Sequence, residues 1–95
     1  MSSSTPQPEI NPVRSMSLYI CVANASAAID FYREAFGAKE MWRLVEPGGK
    51  IGHAEIQIGN TSLMLSDEYP DYNTSSPETI GGSSVKIHLD GVIGL

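Results

Sequence analysis

His53 and Glu55 are the residues of this sequence best suited to chemistry. They stand two positions apart in a segment that alternates polar and apolar residues, as a β-strand does, so both side chains should point the same way. As an acid–base pair they could move protons, since histidine titrates near neutrality. As a metal pair they could bind a cation with help from another chain. The simpler interpretation is that both hydrogen-bond across an open sheet face, where polar residues are ordinary.

Aromatic and apolar side chains should surround this pair. Tyr19, Trp42 and Met64 could line an apolar cleft for a flat or aliphatic ligand, and packing against a partner chain would explain the same residues equally well. Cys21 is expected to be a buried, inert thiol, and Asp67 and Glu68 to be solvated loop charges. The predicted cleft set consists of Tyr19, Trp42, His53, Glu55, Gln57 and Met64.

Composition narrows the class of protein. The chain has 95 residues, enough for one small domain, and its six basic and eleven acidic residues give a net charge of −5. That charge argues against nucleic-acid binding, which needs a basic surface. A lone cysteine forms no internal disulfide, and the apolar runs are too short to span a membrane. Met1 to Pro6 does not resemble a secretion signal, so we expect a cytoplasmic protein.

Hydrophobic periodicity predicts five strands, one helix and a tail. Residues 1–14 are rich in serine and proline and should form a disordered tail. Asn24 could cap a helix that ends before Gly37, with Ile29 and Phe36 on its buried stripe. The predicted elements are a strand over Met16–Val22, a helix over Ala25–Phe36, and strands over Lys39–Val45, Ile51–Ile58, Thr61–Ser66 and Ser84–Leu89.

The turn at Gly59-Asn60 fixes the predicted pairing of two of these strands. A two-residue hairpin there places Ile58 opposite Thr61 and Glu55 opposite Met64. One face of the hairpin is then apolar and can pack under the helix, while the face that carries His53 points away from the helix. The apolar face consists of Ala54, Ile56, Leu63 and Leu65.

Three sequence motifs carry a resemblance to a known family. The helix and its exit, residues 28–38, the strand motif Gly52-His53-Ala54-Glu55 and the segment 62–68 resemble the vicinal oxygen chelate superfamily, which includes glyoxalases, bleomycin resistance proteins and dioxygenases. They are most similar to its PhnB-like branch. The resemblance implies an α+β fold in which βαβββ units, each a mixed four-stranded sheet with one helix, pair around a shared cleft. This chain would hold the N-terminal half only: a unit over 15–66, a linker loop over 67–82, and the first strand of a truncated second unit over 83–95.

The resemblance also bears on metal binding. The ligand positions of metal-dependent relatives fall near Ser17, Met64 and Ser84, and a fourth lies beyond residue 95. None of these side chains is a usual ligand for a divalent metal, which prefers histidine nitrogen or carboxylate oxygen. We therefore expect no cofactor, with a divalent metal as the alternative.

Three functional hypotheses follow. The first is a small-molecule binding protein of the bleomycin-resistance kind without a metal. The alternatives are a divalent-metal-dependent enzyme of lyase or dioxygenase type, or a truncated, inactive fragment. An unpaired fifth strand has free backbone hydrogen-bonding groups that can pair with the edge of another sheet. A homodimer in which two copies complete one another is therefore also expected.

Overall fold

The structure is a computed structural model that describes residues 12–91. It contains one mixed four-stranded sheet, in which β1 runs parallel to β4 and the other pairs are antiparallel. The predicted α+β unit is therefore confirmed. Residues 1–11 of the predicted tail and the last four residues lie outside the described range. The elements in chain order are β1 (Leu18–Cys21), α1 (Ala25–Phe36), β2 (Lys39–Val45), β3 (Ile51–Ile58), β4 (Thr61–Ser66) and a short α2 (Pro77–Ile80).

Helix α1 begins and ends where its capping residues predict. The Asn24 side chain accepts a hydrogen bond of 3.0 Å from the backbone N–H of Ala27, which satisfies one of the unpaired donors of the first turn. Gly37 adopts φ +69°, a left-handed conformation that costs glycine little, and its N–H bonds the carbonyl of Arg33. No helix within residues 12–91 is long and apolar enough to cross a membrane.

The core lies between α1 and one face of the sheet. Glu55 pairs with Met64 and Ile58 with Thr61, so the predicted hairpin register is confirmed. That register turns the apolar residues of β3 and β4 toward Ile29, which is 1% exposed. The predicted apolar face is buried as expected, and its members are Ala54, Ile56, Leu63 and Leu65.

Two predictions about the helix and the first strand need correction. Phe36 was expected in the core, but it is 41% exposed. Its ring contacts the rings of Phe31 and Tyr32 on the same helix, so it packs outside the helix–sheet interface. Strand β1 covers Leu18–Cys21 and not the longer Met16–Val22, because only these four residues pair with β4.

The chain after β4 also differs from the prediction. The proposed linker contains a 3-10 turn at Pro70–Tyr72 and the short helix α2, and is therefore more structured than its polar composition suggested. The segment predicted as a fifth strand, Ser84–Leu89, forms no strand within this chain. A strand is defined by backbone hydrogen bonds to a neighbouring strand, and within residues 12–91 this segment makes none. Its apolar side chains Val85, Ile87 and Leu89 are exposed.

Asp67 and Glu68 were expected to be solvated, and both are instead structural anchors. The Asp67 carboxylate accepts the backbone N–H of Ala25 at 2.8 Å and that of Ile51 at 2.7 Å, so it joins the first turn of α1 to β3. Glu68 accepts the backbone N–H of Ser76 at 2.8 Å and the hydroxyl of Thr79. These hydrogen bonds from Ser76 and Thr79 lower the pKa of Glu68 to about 2.

Candidate ligand-binding face

The face of the sheet opposite α1 carries a continuous row of functional side chains. Tyr19 on β1 pairs with Met64 on β4, Met64 with Glu55 on β3, and Glu55 with Trp42 on β2. The row therefore crosses all four strands. Each of these positions was predicted to line the cleft, and the strand register brings them to neighbouring positions on one face.

Two aromatic rings hold the imidazole of His53 from two directions. The Trp42 ring is stacked on it, with centroids 4.7 Å apart and planes at 12°. The Tyr19 ring meets it edge-on at 4.9 Å and 73°. Both arrangements are favourable geometries for aromatic pairs. His53 is consequently half-buried with a fixed ring orientation, although the aromatic rings around it remain about half exposed.

The hydrogen bonds of the Tyr19 hydroxyl indicate which ring nitrogen of neutral His53 carries the proton. This hydroxyl lies 3.3 Å from the carbonyl of Gly52 and 3.1 Å from His53 Nδ1. A phenol has one hydrogen, and the carbonyl can only accept it, so the hydroxyl then accepts a hydrogen bond from Nδ1–H. Assigned from this network, neutral His53 carries its proton on Nδ1. Nε2 is left as the basic nitrogen.

Trp42 also connects the two candidate catalytic residues. Its indole N–H donates to the Glu55 carboxylate at 3.2 Å while its ring stacks on His53. Trp42 therefore contacts both His53 and Glu55. Gln57 is separated from this group, because its amide donates to the carbonyl of Gly59 at 3.1 Å, in the hairpin turn.

Sequence patterns did not reveal a pocket at one end of this face. The segment after β4 folds back through a bridge between Tyr69 and Thr74. A cavity of about 370 Å³ lies beneath it, with three tyrosines and one carboxylate among its lining residues. Turn residues follow no period, so the only sequence signal was the recurrence of tyrosine in the loop. The lining consists of Tyr19, Glu46, Gly52, Ser66, Tyr69, Tyr72 and Thr74.

Cys21 was predicted to be a buried thiol, and the structure places it in a partly exposed position. It is half-buried, and its Sγ lies 3.6 Å from the carbonyl oxygen of Asp67. Burial raises the pKa of Cys21, and the negative charges of Glu68 and Asp67 raise it further. A raised pKa lowers the thiolate fraction at neutral pH, and the thiolate is the reactive form.

The residues at the mapped metal positions do not fit a divalent metal. Ser17, Met64 and Ser84 offer two neutral hydroxyls and a thioether, and none of these is a preferred ligand. Within residues 12–91 no group of three histidine, cysteine, aspartate or glutamate side chains is placed to hold a metal ion. His53 and Glu55 would need further ligands from a second chain to do so.

A family model matches residues 10–90, which is most of the chain. The chain belongs to the Glyoxalase/Bleomycin resistance protein/Dioxygenase superfamily. Similar curated proteins include an uncharacterized protein of Mycobacterium bovis, 39% identical over 83 residues, which cover 84% of this chain and 55% of the relative. An uncharacterized protein of Mycobacterium tuberculosis has the same identity over the same length, and the match covers 49% of that relative. The chain thus spans about half the length of the curated relatives it matches.

Proposed function

We propose that this superfamily member is a small-molecule binding protein of the bleomycin-resistance kind, from the PhnB-like branch, with no resident metal. The observation that supports this function is the row of Tyr19, Met64, Glu55 and Trp42 across the open face of the sheet. Apolar surface with a few oriented polar groups is what a small organic ligand requires.

The same face has side chains that are positioned before any ligand binds. Trp42 is 48% exposed and Tyr19 is 49% exposed, yet both have fixed partners through His53, Glu55 and Gly52. Exposed rings that are already held in place lose little conformational freedom on binding. The arrangement therefore suits a flat or aliphatic ligand that lies across the rings.

The binding unit in this proposal is a homodimer in the cytoplasm, where the single cysteine needs no disulfide partner. One sheet presents an open aromatic face, and the exposed side chains of Val85, Ile87 and Leu89 need a strand edge to cover them. A two-fold symmetric pair of chains would cover both. Light scattering should give the mass of two chains. A monodisperse species at the mass of one chain contradicts this part of the proposal, and aggregates alone would favour the truncated-fragment alternative.

The test of ligand binding uses Trp42, which is the only tryptophan of the chain. Titration with a neutral fused-ring aromatic probe, 2-naphthol, should change its fluorescence in a saturable way, because the probe stacks on the row that contains it. Met64→Ala should weaken the binding. Glu34→Gln, on the exposed surface of α1, is the matched control and should leave it unchanged. No saturable change, or equal effects of both substitutions, would contradict the proposed site.

The second candidate is a divalent-metal-dependent enzyme of lyase or dioxygenase type. One observation favours it: the assigned tautomer leaves His53 Nε2 as a basic nitrogen, and Glu55 is held nearby through Trp42. Elemental analysis of protein purified without chelators separates the two. We expect no stoichiometric zinc, nickel, manganese or iron. About one metal ion per chain that is lost on His53→Ala would overturn the first proposal in favour of this one.

A further inference from the structure

The hydrogen-bond donors of Tyr19, Trp42 and His53 are all used inside the protein. The Trp42 indole N–H donates to one oxygen of the Glu55 carboxylate at 3.2 Å. The Tyr19 hydroxyl donates to the carbonyl of Gly52 at 3.3 Å, and His53 Nδ1–H then donates to that hydroxyl at 3.1 Å. Each of these three side chains has a single N–H or O–H hydrogen when the imidazole is neutral. None of the three hydrogens is therefore left for a ligand.

Two acceptors of the same group of side chains remain free. Within residues 12–91, His53 Nε2 and the second carboxylate oxygen of Glu55 make no hydrogen bond. Both residues are half-buried, but neither atom is occluded: over the same residues, the hydroxyl of Tyr69 is the only side-chain atom that is both occluded and without a partner. Water, or a ligand that replaces it, can therefore reach both acceptors.

The free acceptors adjoin the exposed ring on which a flat ligand would stack. Trp42 is 48% exposed, its ring is stacked on the imidazole of His53 with centroids 4.7 Å apart, and its N–H bonds Glu55. A molecule that covers the open part of the indole therefore lies next to both residues. The carboxylate of Glu55 is negative, and the row across the sheet, which consists of Tyr19, Met64, Glu55 and Trp42, contains no lysine or arginine to attract an anion.

We propose that His53 Nε2 and the free oxygen of Glu55 select a flat aromatic ligand that donates hydrogen bonds through O–H or N–H groups at its edge. A ligand without such a group would displace water from these acceptors without replacing its hydrogen bonds, and a carboxylate would meet the negative charge of Glu55. Because both acceptors are only half-buried, the selection should be several-fold and not the many orders of magnitude of a closed site. The inference rests on the proposed function and adds a chemical class to the ligand of that face.

Three naphthalenes of similar shape test the inference on the full chain at pH 8, where an imidazole is neutral and an aromatic hydroxyl keeps its proton. 2-Naphthol has an O–H donor, 2-methoxynaphthalene has none, and 2-naphthoate is an anion. Binding is followed by the NMR signal of the indole N–H of Trp42, the only tryptophan. 2-Methoxynaphthalene should bind about fivefold more weakly than 2-naphthol although it has more apolar surface, and 2-naphthoate about tenfold more weakly. Equal affinities of 2-naphthol and 2-methoxynaphthalene would overturn the inference.

The nitrogen NMR resonances of His53 test the acceptor directly. In the free protein they should place the proton on Nδ1 and leave Nε2 without one, as the hydrogen bonds of Tyr19 indicate. 2-Naphthol should shift the Nε2 resonance toward that of a protonated nitrogen, because its hydroxyl hydrogen shares the lone pair, and 2-methoxynaphthalene should shift it much less. The exposed His88 is the internal control. A proton on Nε2 in the free protein, or equal shifts from the two probes, would contradict this role of His53.

Variants separate the two acceptors from packing in general. His53→Phe keeps a flat ring beside Trp42 but has no nitrogen, so the preference for 2-naphthol over 2-methoxynaphthalene should disappear. Glu55→Gln keeps the shape of the side chain without its charge and should remove most of the discrimination against 2-naphthoate. Glu34→Gln, on the exposed surface of α1, is the charge control and should change neither ratio. Unchanged ratios in both His53→Phe and Glu55→Gln would overturn the inference.

The probes also distinguish failure of this inference from failure of the proposed function. Saturable binding of 2-naphthol and 2-methoxynaphthalene with equal affinity would keep the sheet face as a binding site and remove the role of the two acceptors. No binding of any probe to the unaltered chain would overturn the proposed function and this inference with it. These comparisons need no variant, so they decide the matter even if His53→Phe is poorly folded.

Discussion

The two faces of the sheet are built by different interactions from the same strands. On the side of α1, Ile29, Ile56 and Leu65 are fully buried and belong to one apolar core cluster. On the opposite side, Trp42 and Tyr19 are half exposed and are positioned by hydrogen bonds and ring contacts. Alternation along each strand produces both faces, since successive side chains point to opposite sides.

This contrast shows which face of the sheet stabilises the fold and which face can select a ligand. Apolar burial is non-directional and proportional to area, so it stabilises the fold without selecting a ligand. Hydrogen bonds and stacked rings are directional, so they fix the shape of a site but contribute modestly to stability. Substitutions on the α1 side should therefore unfold the chain, while those on the open side should change what it binds.

The largest effect is expected from Ile29→Ala. It empties a fully buried position under the sheet and should lower the free energy of unfolding by roughly 2–5 kcal/mol. Phe36→Ala is the control on the same helix: it removes an exposed ring and should cost about 1 kcal/mol. Urea denaturation followed by circular dichroism measures both. Equal losses of stability in the two variants would contradict the placement of Ile29, and not Phe36, in the interface between α1 and the sheet.

The second-largest loss of stability is expected from Asp67→Ala. This substitution removes the acceptor for two backbone N–H groups at the junction of α1 and β3. Leaving the N–H groups of these two buried residues without partners should cost about 1–3 kcal/mol. Asp71→Ala changes an exposed aspartate in the 3-10 turn and is the control. If the two variants melt at the same temperature, Asp67 does not hold the junction.

Trp42→Ala should have a smaller effect on folding of the monomeric chain, although it removes the largest side chain of the sequence. The lost stacking on His53 and hydrogen bond to Glu55 should cost about 1 kcal/mol, since the indole is already half in water. Circular dichroism in dilute protein gives the measurement, as the variant has no tryptophan fluorescence. A loss as large as that of Ile29→Ala would erase the distinction between the two faces.

The smallest effect is local and depends on pH. The folded-state pKa of Glu68, about 2, lies below the ordinary 4.5, so its stabilising hydrogen bonds are fully present above about pH 4.5. They are lost as the pH falls from 4.5 toward 2. The protection factors of the Ser76 and Thr79 amides, which compare their exchange with that of an unstructured peptide at the same pH, should therefore fall over this range, before the core opens. Glu68→Gln should remove the pH dependence, and Glu78→Gln should keep it.

Local patterns predicted most of the fold. The bounds of α1, β2, β3 and β4 follow from periodicity, the Asn24 cap and the Gly59 turn, because each of these signals acts over a few neighbouring residues. That Tyr19, Trp42, Glu55 and Met64 lie on one face followed as well, since strand alternation assigns faces without knowledge of the contacts. Phe36 was assigned wrongly, because helical period alone does not tell how far the sheet extends beneath the last turn.

The contacts between side chains of distant segments are set by the tertiary structure, whereas the direction of each side chain follows from the sequence. The sequence determined that Tyr19, Trp42, His53 and Glu55 share one face, because side-chain direction is a property of the strand itself. Which of them touch depends on strand order and register, and these come from pairing between distant segments. The anchoring role of Asp67 and the burial of the Tyr69 hydroxyl have the same origin: each arises where segments far apart in the chain meet. No local spacing encodes such a meeting, because it is set by the packing of the whole unit.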